Sequence, residues 1–284
     1  MEGLAWDIPI ATCATIHECT TNCCSVDSIE QVHLSLEHKD RSMMGVSWVT
    51  LNSQDSLVQY SITNNFETEG DTSNVVEVTG AVNTYTQAGW IGTIHKAMMT
   101  NLKPATTYYY RVGSGGLWSD VFEFKTFDPA QKTINFAVVA DMGYGPNSDD
   151  TVARLQEKVE KGEIDVILHN GDIGYADGYM VHWDAFFNKI QPIATRVPYM
   201  VTPGNHEFWY NFAAYKARFY MPSNSGNGEE QDGSGDNMWY AWDYGNVHFA
   251  AMNSETAVDT QNFHKNMLEY FAADLQTVDR AVTP

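Results

Sequence analysis

Between residues 31 and 126 the chain alternates apolar and polar positions, or strings β-branched residues together, in short runs separated by Gly and polar turns. The runs at 31–36, 45–51, 56–62, 75–79, 91–99, 106–112 and 121–126 predict seven strands of a small antiparallel sandwich within the segment 28–128. Trp48 shares a face with Val46 and is expected in its core. Leu102, Pro104, Thr106 and Tyr108 fall at alternate positions ahead of Tyr110 and Val112. The polar, Pro-containing stretch 128–132 then ends this rhythm and marks the best domain boundary.

From residue 132 to 284 the rhythm becomes βαβαβ. A strand at 134–140 leads through a Gly-rich loop to a helix over 148–161, with Val152, Leu155 and Val159 on one face and Ser148 as the expected N-cap. A strand at 165–169, a helix near 181–194 and a strand at 197–201 follow. A hairpin of 238–244 and 246–252 turns near Gly245, and a last helix spans roughly 261–278. The Gly- and acid-rich segment 223–236 reads as an inserted loop.

Three of these strands carry the chemistry. The apolar runs 136–140, 166–168 and 197–201 read as buried parallel strands. Each stops at Gly and an acidic or amide side chain: Asp141-Met142-Gly143, Gly171-Asp172-Ile173-Gly174-Tyr175, and Gly204-Asn205-His206-Glu207. Open α/β sheets present ligands at the carboxyl ends of their strands. Asp141, Asp172, Tyr175 and Asn205 are hard oxygen donors, and His206 adds an imidazole, a set suited to a pair of di- or trivalent metal ions. The plainer alternative is three ordinary βα turns with polar caps. His169 reads as a core residue or one that supports the ligands from behind, His248 as a satisfied core residue, and Asp177 as a brace for its loop. His17, His33, His38, His95, His182 and His264 show no ligand spacing, while Trp209 and Tyr210 follow the third motif closely enough to wall a pocket.

Charge changes the list of partners. The chain of 284 residues carries 36 Asp and Glu against 16 Lys and Arg, a formal net charge of −20. Such a surface repels nucleic-acid backbones but not a small phosphorylated substrate, because bound cations reverse the local sign. No run is long and apolar enough to span a membrane. Cys13, Cys19, Cys23 and Cys24 all lie in the leader 1–27. Two disulfides or a soft-metal site are the alternatives, and the C-x5-C-x3-C-C spacing, which matches no recognised zinc pattern, favours disulfides. No signal peptide and no Asn-x-Ser/Thr acceptor is visible.

The three motifs together resemble those of the purple acid phosphatases, a branch of the metallophosphoesterase superfamily, over essentially everything from residue 28 onwards. The resemblance implies a fibronectin type III-like sandwich followed by an α/β metallophosphoesterase domain, in which a tyrosine near 108 closes a corner of the sandwich. Most relatives in the superfamily carry a histidine where this chain has Gly143, and another side chain where it has Tyr175. By resemblance, Asp141 and Tyr175 bind iron(III), Asp172 bridges the two ions, and Asn205 binds a second divalent ion, zinc, manganese or iron. His206 then meets the phosphate or gives a proton to the leaving alkoxide, and a metal-bound hydroxide attacks phosphorus in line. Secretion or a lysosomal or vacuolar location is implied likewise.

The family's last two motifs, Val-x-x-His and Gly-His-x-His, which supply three histidine ligands, are absent. The chain therefore reads as an amino-terminal portion of an acid phosphatase, incomplete at its C-terminus and expected to bind metal poorly. The alternative is a truncated, non-catalytic product that works as a binding module through its β-sandwich.

Overall fold

The computed structural model describes residues 28–37, 40–52, 55–66, 74–114, 116–222, 233–255 and 263–283. The cysteine-bearing leader, His17, His38 and most of the 223–236 insertion lie outside the described residues.

The first half is built from β1 (Glu30–Leu36), β2 (Met44–Thr50), β3 (Leu57–Ser61), β4 (Val76–Thr79), β5 (Ala81–Asn83), β6 (Thr93–Met99), β7 (Thr107–Ser114), β8 (Leu117–Trp118) and β9 (Phe122–Lys125). All pairs are antiparallel, in one sheet ordered β1-β2-β6-β5 and a second ordered β4-β3-β7-β8, with β9 also paired to β7. The inward positions Leu34, Val46, Trp48, Val58, Tyr110, Val112 and Phe124 fill the space between the sheets, as alternation requires. The expected strands are present, and β5 and β8 add to them. These two are three and two residues long, too short to leave a period, and exist because neighbours pair with them. The Tyr108 phenol accepts the Lys103 backbone N–H at 2.9 Å, five residues upstream, which closes the expected tyrosine corner.

The second half contains β10 (Phe136–Val139), α1 (Asp149–Glu160), β11 (Val166–Asn170), α2 (Met180–Ala194), β12 (Tyr199–Thr202), α3 (Trp209–Arg218), β13 (Tyr240–Tyr244), β14 (Val247–Ala251) and α4 (Phe263–Thr277). Strands β10, β11 and β12 form a parallel sheet in that order, so three successive βα turns leave one edge side by side. Helix α1 buries Val152, Leu155 and Val159, the apolar stripe read from the sequence. Strand β10 departs from expectation: its residues are only partly buried and Val138 is 63% exposed, whereas β11 and β12 are largely buried. Ser148 departs too. It has helical dihedrals, makes no capping bond, and turns its hydroxyl to the carbonyls of Gly143 and Gly145. His248 is satisfied as expected, between Asp243 and Asp274 at 2.7 Å each, and so ties the β13–β14 hairpin to α4.

The two halves share a buried polar seam. Arg218, 1% exposed, donates to Tyr85 Oη at 2.7 Å, to Gln31 Oε1 at 2.8 Å and to Asp184 Oδ1 at 2.8 Å. Its guanidinium lies 4.6 Å from the Trp90 ring, which stacks on Tyr85. Lys96 donates to the Phe219 carbonyl at 2.8 Å, and the Gln191 amide oxygen accepts from Val32 N–H at 2.9 Å. His33 packs on Phe187 with its ring nitrogens against the carbonyls of Gln31 and Arg218. Burial, aided by the nearby Lys96 and Arg218 charges, lowers its pKa to about 4. The unfolded chain therefore takes up a proton near the ordinary value of 6.5 that the folded chain refuses until about 4. Stability present above that window is lost as pH falls through it, by on the order of 3 kcal/mol. Denaturation of the wild-type chain and His33→Gln at pH 7 and pH 4.5 should show a flatter pH dependence in the variant; equal slopes would refute this assignment.

Candidate metal centre

Each motif begins where its strand runs out. The backbone must then turn sharply, and Asp141, Asp172, Tyr175 and Asp177 all take left-handed φ values, between 48° and 53°. For residues with a Cβ, each such conformation costs on the order of 1 kcal/mol or more and persists only where surrounding structure enforces it. Backbone bonds from Asp141 N–H to Gly171 C=O and from Gly143 N–H to Ile173 C=O lock the first turn to the second. Gly171 N–H donates to Thr202 C=O and locks the second to the third strand.

The side chains converge as a result. Tyr175 Oη donates to Asp141 Oδ1 at 2.7 Å and lies 3.4 Å from Asp172 Oδ2. Asp172 Oδ1 accepts the His206 backbone N–H at 3.1 Å, and His206 Nε2 stands 3.9 Å from Asp172 Oδ2. The His206 ring lies 4.2 Å from the Tyr175 ring, and its Nδ1 bonds to Asp177 Oδ1. In that bond the Nδ1–H donates to Asp177, which leaves Nε2 facing the carboxylates. Asn205 is exposed at the head of the short turn Asn205–Glu207.

Electrostatics agree with a cation site. No Lys or Arg pairs with Asp141 or Asp172 among the described residues. The hydrogen bond to Asp141, with burial and the two carboxylates, pushes the Tyr175 phenol well above its ordinary value. A cation seated there would take the place of that proton. Burial opposes protonation of His206, but the bond to Asp177 and the surrounding carboxylates outweigh it and raise its pKa. Three oxygen donors packed without a balancing cation fit a hard metal ion. Among the described residues no three His, Cys, Asp or Glu side chains form a cage by themselves, so the donor set here depends on Tyr175.

Gly143 explains how the phenol gets there. It has φ +72°, and a Cβ at this position would lie 3.3 Å from the Tyr175 ring. The space is the ring's own.

A sequence profile described as the purple acid phosphatase N-terminal domain matches residues 29–126, and one described as the calcineurin-like phosphoesterase matches residues 134–275. The chain belongs to the purple acid phosphatase family. Acid phosphatase type 7 of Danio rerio is 34% identical over 262 residues, covering 88% of this chain and 55% of that protein. Purple acid phosphatase 21 of Arabidopsis thaliana is 33% identical over 262 residues, covering 90% of this chain and 54% of the relative. The solved purple acid phosphatase PPD1 from yellow lupin (Lupinus luteus) seeds superposes with a TM-score of 0.74 at 24% identity, over 91% of this chain and 50% of the other, and shows the shared fold. The chain spans about half the length of the curated relatives it matches.

Two residues that support this candidate site, Glu207 at the end of the third motif and Lys189 outside the motifs, receive no role from the sequence. Glu207, 3% exposed, accepts Gly204 N–H at 2.8 Å through one oxygen and Ile173 N–H at 2.9 Å through the other. It thereby staples the loop bearing Asp172 to the loop bearing Asn205. Burial raises its carboxyl to about 7, against the pull of those two bonds. The available signal was its place beside His206, at the end of a buried strand. Lys189 on α2 donates to Gly145 C=O at 2.6 Å, Ser148 Oγ at 3.0 Å and Asp149 at 2.6 Å, holding the loop after Asp141. No local pattern announces that contact, because its partners lie some forty residues away.

Proposed function

We propose that this site hydrolyses phosphate monoesters in the manner of an acid phosphatase. The observation that carries the reading is the convergence of Asp141 from the first loop with Asp172 and Tyr175 from the second, and with His206 of the third loop held beside them by Asp177. Asp141 and Tyr175 would hold iron(III), Asn205 would hold a second divalent ion, zinc, manganese or iron, and Asp172 would serve both. When bound, these ions supply a hydroxide nucleophile at acid to neutral pH and offset charge on the phosphoryl group.

The chain's own residues do the rest. Asp172 is fixed by the His206 N–H, so the bridging carboxylate and the imidazole move together. His206, protonated, hydrogen-bonds the phosphate and passes its Nε2 proton to the leaving oxygen, a role worth about 10²–10⁴ in rate. A secreted or lysosomal setting suits the acid range and the acidic composition. The second reading, a binding module working through the β-sandwich, is less well supported, because β1 and β6 contribute His33 and Lys96 to the seam with the phosphoesterase half.

The test reads the metal and the ligands apart from turnover. Because this chain is expected to bind metal poorly, iron and zinc salts are supplied in large excess, and a weak visible absorption band from phenolate-to-iron charge transfer is expected to develop. Tyr175→Phe should abolish the band, inorganic phosphate should shift it, and hydrolysis of p-nitrophenyl phosphate should track it. Iron binding that is indifferent to Tyr175→Phe and to phosphate would sink the assignment.

A further inference from the structure

Each candidate ligand loop ends in an aromatic residue, and these side chains gather on one side of the site. Tyr144 follows Asp141 by three residues, Tyr179 follows Tyr175 by four, and Trp209 follows Asn205 by four. The His182 ring stacks on Tyr144 at 4.0 Å and meets Tyr179 at 5.4 Å, which joins the first loop to the second. The Trp209 indole lies against Gly178, so close that a Cβ there would stand 3.1 Å from the ring, and this joins the second loop to the third. Gly178 directly follows Asp177, the residue that holds His206.

These rings face solvent. Tyr179 is 60% exposed, Phe208 61%, Trp209 51% and Tyr210 49%. Such a run of large apolar side chains would ordinarily turn inward. It is held out by three consecutive left-handed residues, Tyr210, Asn211 and Phe212, at φ 55°, 57° and 59°. Only the third, Phe212, is buried. Exposed apolar surface kept at the cost of backbone strain marks a place where something binds.

We propose that this rim, with Trp209 and Tyr179 as its principal members, selects phosphate esters whose leaving group is a planar aromatic ring. The inference rests on the phosphatase reading above. His206 gives its Nε2 proton to the leaving oxygen, and the opposite edge of its ring is tied through Asp177 to Gly178 and the indole seated on it, so a leaving group that extends past the imidazole meets this rim. A flat π-face offered there stacks on an aryl or nucleobase group and gains nothing from a short alkyl chain.

Calorimetric titration of the metal-supplied chain with phenylphosphonate and methylphosphonate tests this without turnover. Stacking predicts phenylphosphonate binding about tenfold tighter than methylphosphonate. Trp209→Ala should erase most of that preference while leaving methylphosphonate binding in place, and Tyr179→Ala should do so in part. Both side chains are exposed, so circular dichroism is expected to report an intact fold in each variant. If the two phosphonates bind equally, the rim has no such role and the phosphatase reading stands. If neither binds, the phosphatase reading falls and takes this inference with it. Should Trp209→Ala instead turn a dimer into a monomer and leave the aryl preference untouched, the rim is a contact between copies and the proposal is overturned.

Discussion

Replacing Asp184 with alanine should destabilise the whole chain by about 3–5 kcal/mol, the usual cost of leaving a buried charge without its counter-ion. Arg218 is 1% exposed and cannot shed its proton, and Asp184 is its anionic partner at 2.8 Å. The Tyr85 and Gln31 oxygens would remain as acceptors, but neither carries charge at neutral pH. Asp184 also accepts from Gln31 Nε2 at 3.0 Å and from the Trp90 indole, so its loss strands donors from the sandwich as well. Guanidinium unfolding followed by tryptophan fluorescence would measure the effect. The double variant Asp184→Ala with Arg218→Met should recover much of the loss, since it removes the unpaired charge. A loss under about 1 kcal/mol in the single variant would place the pair among ordinary surface bridges.

Gly204→Ala should do comparable harm at the site. A Cβ there would fall 2.2 Å from Asp172 Oδ1 and 2.4 Å from the Asp172 backbone nitrogen. Asp172 cannot retreat freely, because the His206 N–H holds its carboxylate and its own backbone is already left-handed. Overpacking of this kind costs about 1–3 kcal/mol. Its larger consequence is displacement of the Asp172 carboxylate. The variant is expected to unfold at lower denaturant and to lose the iron-dependent visible band even where it remains folded. Retention of the band at wild-type intensity would show that the two loops have slack that the packing denies.

How much of this the sequence disclosed follows from the range of each interaction. Strands β11 and β12, helix α1 and the β13–β14 hairpin are legible because their apolar period is local. The convergence of Asp141, Asp172 and Tyr175 is legible one step further, because three successive βα turns of a parallel sheet must open on the same edge. The Tyr108 corner is local too, spanning five residues. Glu207 and Lys189 are not local. Each satisfies backbone groups on another loop, and that pairing exists only after the sheet has formed. Ser148 is legible as the N-cap position but not in its bonding, because the carbonyls of Gly143 and Gly145 take its hydroxyl. The exposure of β10 was hidden because an apolar run does not record whether both of its faces find cover.

The seam carries a lesson about inheritance. A recombination event within 128–132 would respect the boundary that the sequence displays, yet it would part Gln31, Tyr85 and Trp90 from Arg218, and Lys96 from the Phe219 carbonyl. A phosphoesterase half grafted onto a foreign sandwich would inherit a buried guanidinium shaped for partners left behind. Exchange between genes is therefore penalised at the joint where it looks easiest, and the two halves of this chain are bound to drift, and to be repaired, as a pair.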